Sequence, residues 1–286
     1  MRLLVAYLAT PGGADALALG ARLARSFGAE LDIAMVLPPD RVTPAPPGDF
    51  EAVLSDRASR WLADAAAQVD DDVTVTTHVA FAESSGAGII EIAERIGASA
   101  IVVGGGGGGL IGTHSLGTVV NGLLHSSPLP LVVAPRGAYR AGISRIREVT
   151  CAIGDRPGAD ELLDTATRFC AAAKVGLRLI SLVAVEPVSG AVRDDESSLE
   201  AARAHARSLV DDARSRLPAE IPVSAEVVEG RHIEDAVHKL DWHDGDLIMV
   251  GSSRLAQPRR LFLGSTAAKM MRVLQVPMIV VPRGER

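Results

Sequence analysis

Cysteine is nearly absent from this chain of 286 residues, which carries only Cys151 and Cys170. Their spacing forms neither a CxxC pair nor any metal-ligand pattern, so a disulfide framework and a cysteine metal site are both excluded. Two such residues read as small buried apolar side chains in a reducing, cytoplasmic compartment. Basic charge is also in short supply. The net charge of -6 leaves no basic excess to attract nucleic acid. Long apolar runs are missing as well: none reaches the roughly 18 residues of a membrane span. The amino-terminal MRLLVAYLA has the charge and apolar core of a short signal peptide. A similar run, VTCAI (Val149 to Ile153), lies mid-chain where no signal can act, so both read as strands.

What is present is a 48% apolar composition and enough length for two ordinary domains, each with its own core. The chain repeats itself. Gly104 matches Gly251, Gly117 matches Gly264, Pro130 matches Pro277 and APRG (Ala134 to Gly137) matches VPRG (Val281 to Gly284), all at a separation of 147 positions. Two long repeats are duplicated domains and not a solenoid. The expected division is 1–137, a linker over 138–146 that takes in most of RGAYRAGISR (Arg136 to Arg145), and 147–286.

Strand-like and helix-like patterns alternate in each half. In the first, RLLVAYL, AELDIAMVL, VTVTTHVAF, AIVVG and PLVVA are strands. Helices are predicted over Gly13–Phe27, Phe50–Val69, Gly86–Ile96 and Leu116–His125. The second half repeats this with EVTCAI, LRLISLVAV, PVSAEVVE, DLIMV and PMIVV. Its helices are predicted over Ala159–Lys174, Asp195–Leu217, His232–Trp242 and Gly264–Leu274. Five strands separated by helices require parallel pairing through right-handed crossovers. The fold class is therefore α/β, with two tandem doubly wound domains, each a five-stranded parallel sheet flanked by helices.

Six glycines, Gly104 to Gly109, follow the apolar AIVV. In open α/β sheets ligands sit outside the carboxyl ends of strands, and glycines let backbone N–H groups approach an anion closely. The run is not a P-loop, because it has no lysine. It is not a dinucleotide fingerprint either, because it follows the fourth strand and the first acid after it is Glu148. The pattern Gly104-x2-Gly107-x9-Gly117-Thr118 sits between an apolar strand and a helix. With the second-half RRLFLGST and VPMIVV, it resembles the nucleotide motif of the universal stress protein family, and the resemblance covers both halves.

That resemblance implies an adenine nucleotide, ATP with Mg²⁺, held by glycines and a Ser or Thr. It assigns Gly104, Gly107, Gly117 and Thr118 to the phosphates and Val36 to the adenine wall. In the second half it assigns Gly251, Gly264 and Ser265. The family's adenosine-binding Asp falls at Leu8 in one half and at Gly154, beside Asp155, in the other. Arg254 replaces the second glycine of the later motif. The first half is thus expected to be the better site. In this family the uncharged last strand mediates pairing, which implies an internal pseudo-dimer and leaves a homodimer open.

Other features have plainer readings. PGGAD (Pro11 to Asp15) lacks both serines of the SGGxDS loop of ATP pyrophosphatases, which makes an adenylating enzyme a remote alternative. His232, His238 and His243 lack the i, i+4 spacing of a metal pair and read as solvated or capping residues. No acid flanks His114 and Ser115 to build a nucleophile. Trp61 and Trp242 fit core or interface positions, and RDDESS fits a helix start. The expectation is a stress-response nucleotide binder with at most slow ATP hydrolysis, and the alternative is a scaffold with degenerate sites.

Overall fold

The computed structural model describes residues 1–39, 50–105, 117–154, 158–184, 196–253, 256 and 260–284. Strand β1 (Arg2–Ala6) leads into α1 (Pro11–Phe27). Thr10 caps this helix by accepting the Gly13 N–H at 3.2 Å, Pro11 starts it where no N–H is needed, and Gly28 stops it at φ 60°. The first half continues with β2 (Glu30–Leu37), α2 (Phe50–Ala66), β3 (Val75–Phe81), α3 (Ser85–Ile96), β4 (Ala100–Gly104), α4 (Thr118–Leu123) and β5 (Leu131–Ala134). The second comprises β6 (Glu148–Ala152), α5 (Ala159–Ala173), β7 (Gly176–Ala184), α6 (Glu196–Ser215), β8 (Val223–Gly230), α7 (Ile233–His238), β9 (Asp246–Gly251), α8 (Ser265–Val273) and β10 (Met278–Val281).

All ten strands form one sheet in the order β3-β2-β1-β4-β5-β10-β9-β6-β7-β8. Every pairing is parallel except that of β5 with β10, where Val133, Val132 and Leu131 oppose Met278, Ile279 and Val280 antiparallel. These six side chains are fully buried. The two uncharged edges therefore cover each other, as the internal pseudo-dimer requires. On each face of the sheet one apolar cluster runs through both halves, so the halves share their cores.

The segment between β5 and β6 is fastened along α1. Its single 3-10 turn, Ala138–Arg140, is held by Asp15, whose carboxylate accepts the N–H groups of Gly137 and Tyr139, both at 3.1 Å. Farther along the same helix, Arg22 donates to the Ile143 carbonyl and Ser26 accepts the Ile146 N–H. The Asp of PGGAD is thus a fastening for that segment. Phe27 of α1 and Phe169 of α5 meet edge to face at 4.8 Å.

Helices α2, α4, α6 and α7 each stop at least two residues earlier than the periodicity predicts. Helix α7 ends at His238 because the Trp242 indole N–H turns back to the Val237 carbonyl, with the Arg178 guanidinium over its ring. Helix α4 ends at Leu123, whose carbonyl then accepts the N–H groups of Ser126 and Ser127. His232 caps α7 by accepting the Asp235 N–H, and His243 contacts Arg147. Among the described residues no helix is long and apolar enough to cross a membrane.

Burial pushes the thiols of Cys151 and Cys170 up to about 12. A thiol-specific reagent at pH 8 should therefore label neither cysteine in the native protein and both in denaturant; a fast-reacting native thiol would contradict the buried placement. Ile279→Ala should lower unfolding stability by about 2–5 kcal/mol, measured in urea, and an unchanged midpoint would show that the β5–β10 junction carries no stability.

Candidate functional site

In the second half, the carboxyl ends of β6, β7 and β9 and the amino end of α8 surround a cavity of about 440 Å³. Its floor includes Gly154 after β6, Ser181 and Leu182 of β7, and Gly251 of β9. One wall is a stripe of α6, Ala202, His205, Ala206 and Leu209, residues that share a helix face by their i, i+3, i+4, i+7 spacing. Small side chains there keep the space open. His205 is the sole ionisable side chain among the described lining residues. No carboxylate occurs in that set, so it offers no acidic ligand to a metal ion, and no cluster of metal-ligating residues exists among the described residues.

Two helix amino ends border the cavity without a capping side chain. Glycines occupy both N-cap positions, Gly158 before α5 and Gly264 before α8. Thr10, Ser84 and His232 cap α1, α3 and α7 with their own side chains. Uncapped N–H groups and the positive dipole end suit an anion. The chain just after β9 is held by Ser252 and Ser253. The Ser252 hydroxyl accepts the Phe262 N–H at 2.8 Å and donates to the Phe262 carbonyl, which also accepts the Ser253 N–H. Beside this chamber lies a second of about 370 Å³, where Arg216 pairs with Asp160 at 2.8 Å.

A glycine whose absent Cβ would enter open space can admit a ligand, whereas one whose absent Cβ would strike the chain is needed for packing. A Cβ at Gly154 would meet nothing within 4 Å, and one at Gly251 would meet only Leu162 Cδ2 at an ordinary 3.7 Å. Gly264 is tighter, 3.3 Å from Ser253 Cβ. In the first half, a Cβ at Gly104 would lie 1.7 Å from the Gly12 carbonyl oxygen, and one at Gly12 would lie 2.7 Å from that of Gly105. The tight turn in which the Thr10 N–H bonds the Leu8 carbonyl brings the PGG backbone against the end of β4. Gly104 and Gly12 are there for that contact.

The remaining predicted residues divide as follows. Val36 is buried against α3, where Gly88 leaves room for it. Its counterpart Leu182 lines the second-half cavity. Leu8 is 52% exposed. Gly117 is the N-cap of α4, and Thr118 is its exposed first residue. Ser265 is likewise exposed, and the neighbouring Thr266 lines the cavity in its place. Gly107, His114, Ser115, Asp155 and Arg254 lie outside the described residues. Sequence reasoning missed His205, Leu182 and Thr266. No signal in the sequence singled them out, because an alanine-rich helix face fits close packing as well as an open wall, and only the sheet order brings these three residues around one space.

A duplicated doubly wound α/β unit with a glycine-lined crevice beyond its strand ends is a ligand-binding architecture of open α/β sheets. The model of the universal stress protein family matches residues 1–135 and 145–282, and the chain belongs to that family. Universal stress proteins of Mycobacterium tuberculosis and Mycobacterium bovis are 28% identical to it over 296 residues, spanning 99% of this chain and all of theirs. A solved universal stress protein from Archaeoglobus fulgidus superposes with a TM-score of 0.66 at 18% identity, covering 99% of this chain and 98% of its own. Another, crystallised in complex with cAMP, covers 48% of this chain and 97% of its own at 18% identity and a TM-score of 0.34.

The two motif glycines should answer differently to one methyl group. Gly104→Ala should cost several kcal/mol or prevent folding, as expected of forced overpacking against backbone. Gly251→Ala should leave stability within about 1 kcal/mol of wild type. Thermal unfolding of both variants checks this, and equal losses would contradict the packing distinction.

Proposed function

We propose that this universal stress protein binds an adenine nucleotide in its second half and acts in the cytoplasm as a regulatory binding protein rather than an enzyme. Its domains are 1–137 and 147–286, joined by 138–146. The observation that carries the reading is the cavity at the ends of β6, β7 and β9, onto which Gly154 and Gly251 open without any atom in the way of a Cβ. The sequence motif favoured the first half, where Gly104, Gly107, Gly117 and Thr118 all match ATP-binding members and no arginine replaces the second glycine. The close Gly104–Gly12 contact accounts for that glycine without a ligand.

Within the cavity the residues suit a nucleoside phosphate. The apolar stripe of α6 and Leu182 supply a wall for a flat base, and uncapped N–H groups of α8 with Thr266 and Ser253 face a phosphate. Mg²⁺, if used, would arrive on the phosphates, since the described lining has no carboxylate for it. Because β5 and β10 consume each other's edges, any pairing with a second copy must use other surfaces.

Calorimetric titration tests the reading, with ATP, with and without Mg²⁺, and cAMP as probes against wild type, Gly251→Glu and Gly107→Glu. About one nucleotide should bind per chain, be lost in Gly251→Glu and persist in Gly107→Glu. The reverse pattern would move the site to the first half. If no probe binds wild type even at millimolar levels, equivalent to about -4 kcal/mol, the nucleotide reading falls and the scaffold alternative stands.

A further inference from the structure

The described part of the segment between β9 and α8, which brings Ser252, Ser253 and Gly264 to the second-half cavity, is held from the other half of the molecule. Its return segment, Arg260 to Leu263, runs against the turn that ends α4. The Leu261 N–H donates to the Ser127 carbonyl at 2.9 Å and the Leu263 N–H to the Leu124 carbonyl at 3.2 Å. The Arg260 guanidinium donates to the Ser126 carbonyl at 2.7 Å. These carbonyls belong to the C-cap and the turn just after α4, outside the helix's own ladder, and as backbone acceptors they need partners from elsewhere. Phe262, between the two outward-bonded residues, meets the His125 ring edge to face, with centroids 4.9 Å apart and planes at 89°.

The backbone of Phe262 faces the other way. Its N–H bonds Ser252 Oγ, and its carbonyl accepts from Ser252 Oγ and from the Ser253 N–H. Ser252 and Ser253 are buried and line the cavity. One four-residue strap is thus bonded to the first half on one side and to the ligand loop on the other. Leu261 and Leu263, both buried, pin it into the shared core.

We propose that His125 and the terminal turn of α4 are positioning elements for the second-half ligand loop, so that the binding site in one half is completed by a brace from the other. The proposal rests on the second-half cavity being the nucleotide site. Removing the ring contact should loosen the strap, let Ser252 and Ser253 depart from the binding arrangement, and weaken the ligand without unfolding either half.

The experiment pairs ATP titration with amide hydrogen exchange of the ligand-free protein for wild type, His125→Ala, His125→Phe and Arg260→Ala. An edge-to-face ring contact corresponds to about a two- to tenfold change in an equilibrium. His125→Ala should raise the Kd by that factor and speed exchange at the Ser253 and Phe262 amides selectively. His125→Phe, which keeps a ring, should restore both readouts, and Arg260→Ala should move them in the same direction as His125→Ala. Wild-type Kd and wild-type Ser253 exchange in His125→Ala would overturn the brace, as would an equal acceleration of amides throughout the chain. If wild type binds no nucleotide, the functional reading fails by itself, and the Ser253 amide still decides whether the brace exists.

Discussion

The antiparallel pairing of Leu131–Ala134 with Met278–Val281 is the contact on which the molecule depends. Each half ends in a strand of uncharged, largely Val and Ile residues, and such an edge, left bare, is a template for pairing with other chains. Inside this chain the two edges meet with every paired side chain fully buried. Ten strands then share one sheet, and the apolar clusters above and below it become common to both halves. The other contacts between the halves follow from this junction. Phe27 meets Phe169 because α1 and α5 lie on the same face across it, and the strap at Arg260–Leu263 reaches α4 on the opposite face.

The buried polar residues of α1 are explained by the same arrangement. Asp15, Arg22 and Ser26 are each more than nine-tenths buried, a costly placement unless each is hydrogen-bonded. All three are bonded to the crossing segment between β5 and β6 or to their own helix. Helix α5 has no such segment to hold, and its Asp160 turns to Arg216 on the surface. Equivalent positions in the two repeats have therefore taken different work. The same divergence separates Gly104, fixed by the neighbouring backbone, from Gly251, which opens onto a cavity.

Much of the architecture was legible in the residues. Strands such as AIVVG and DLIMV are buried on both faces of a parallel sheet, so they read as unbroken apolar runs. The repeat at 147 positions gave the duplication, and the uncharged last strands gave the junction. Helix ends were less legible where a side chain interrupts the pattern, as Trp242 does by bonding back to Val237. The location of the cavity was not legible at all. A glycine motif states that something approaches the backbone; it does not state whether that something is a ligand or, as at Gly12, another stretch of the same chain. Finding Leu182, His205 and Thr266 around one space required knowing which strand ends lie side by side.

The junction also sets a schedule for synthesis. Strand β5 is complete long before β10 has been made, with on the order of 150 residues between them, so at typical elongation speeds its bare edge waits on the order of ten seconds or more. During that interval the first half is a nearly finished sheet with one sticky side, emerging on a ribosome beside other nascent copies of itself. Its own partner strand comes last, which makes the wait a window for pairing between chains, and slow translation of the second repeat would lengthen that window.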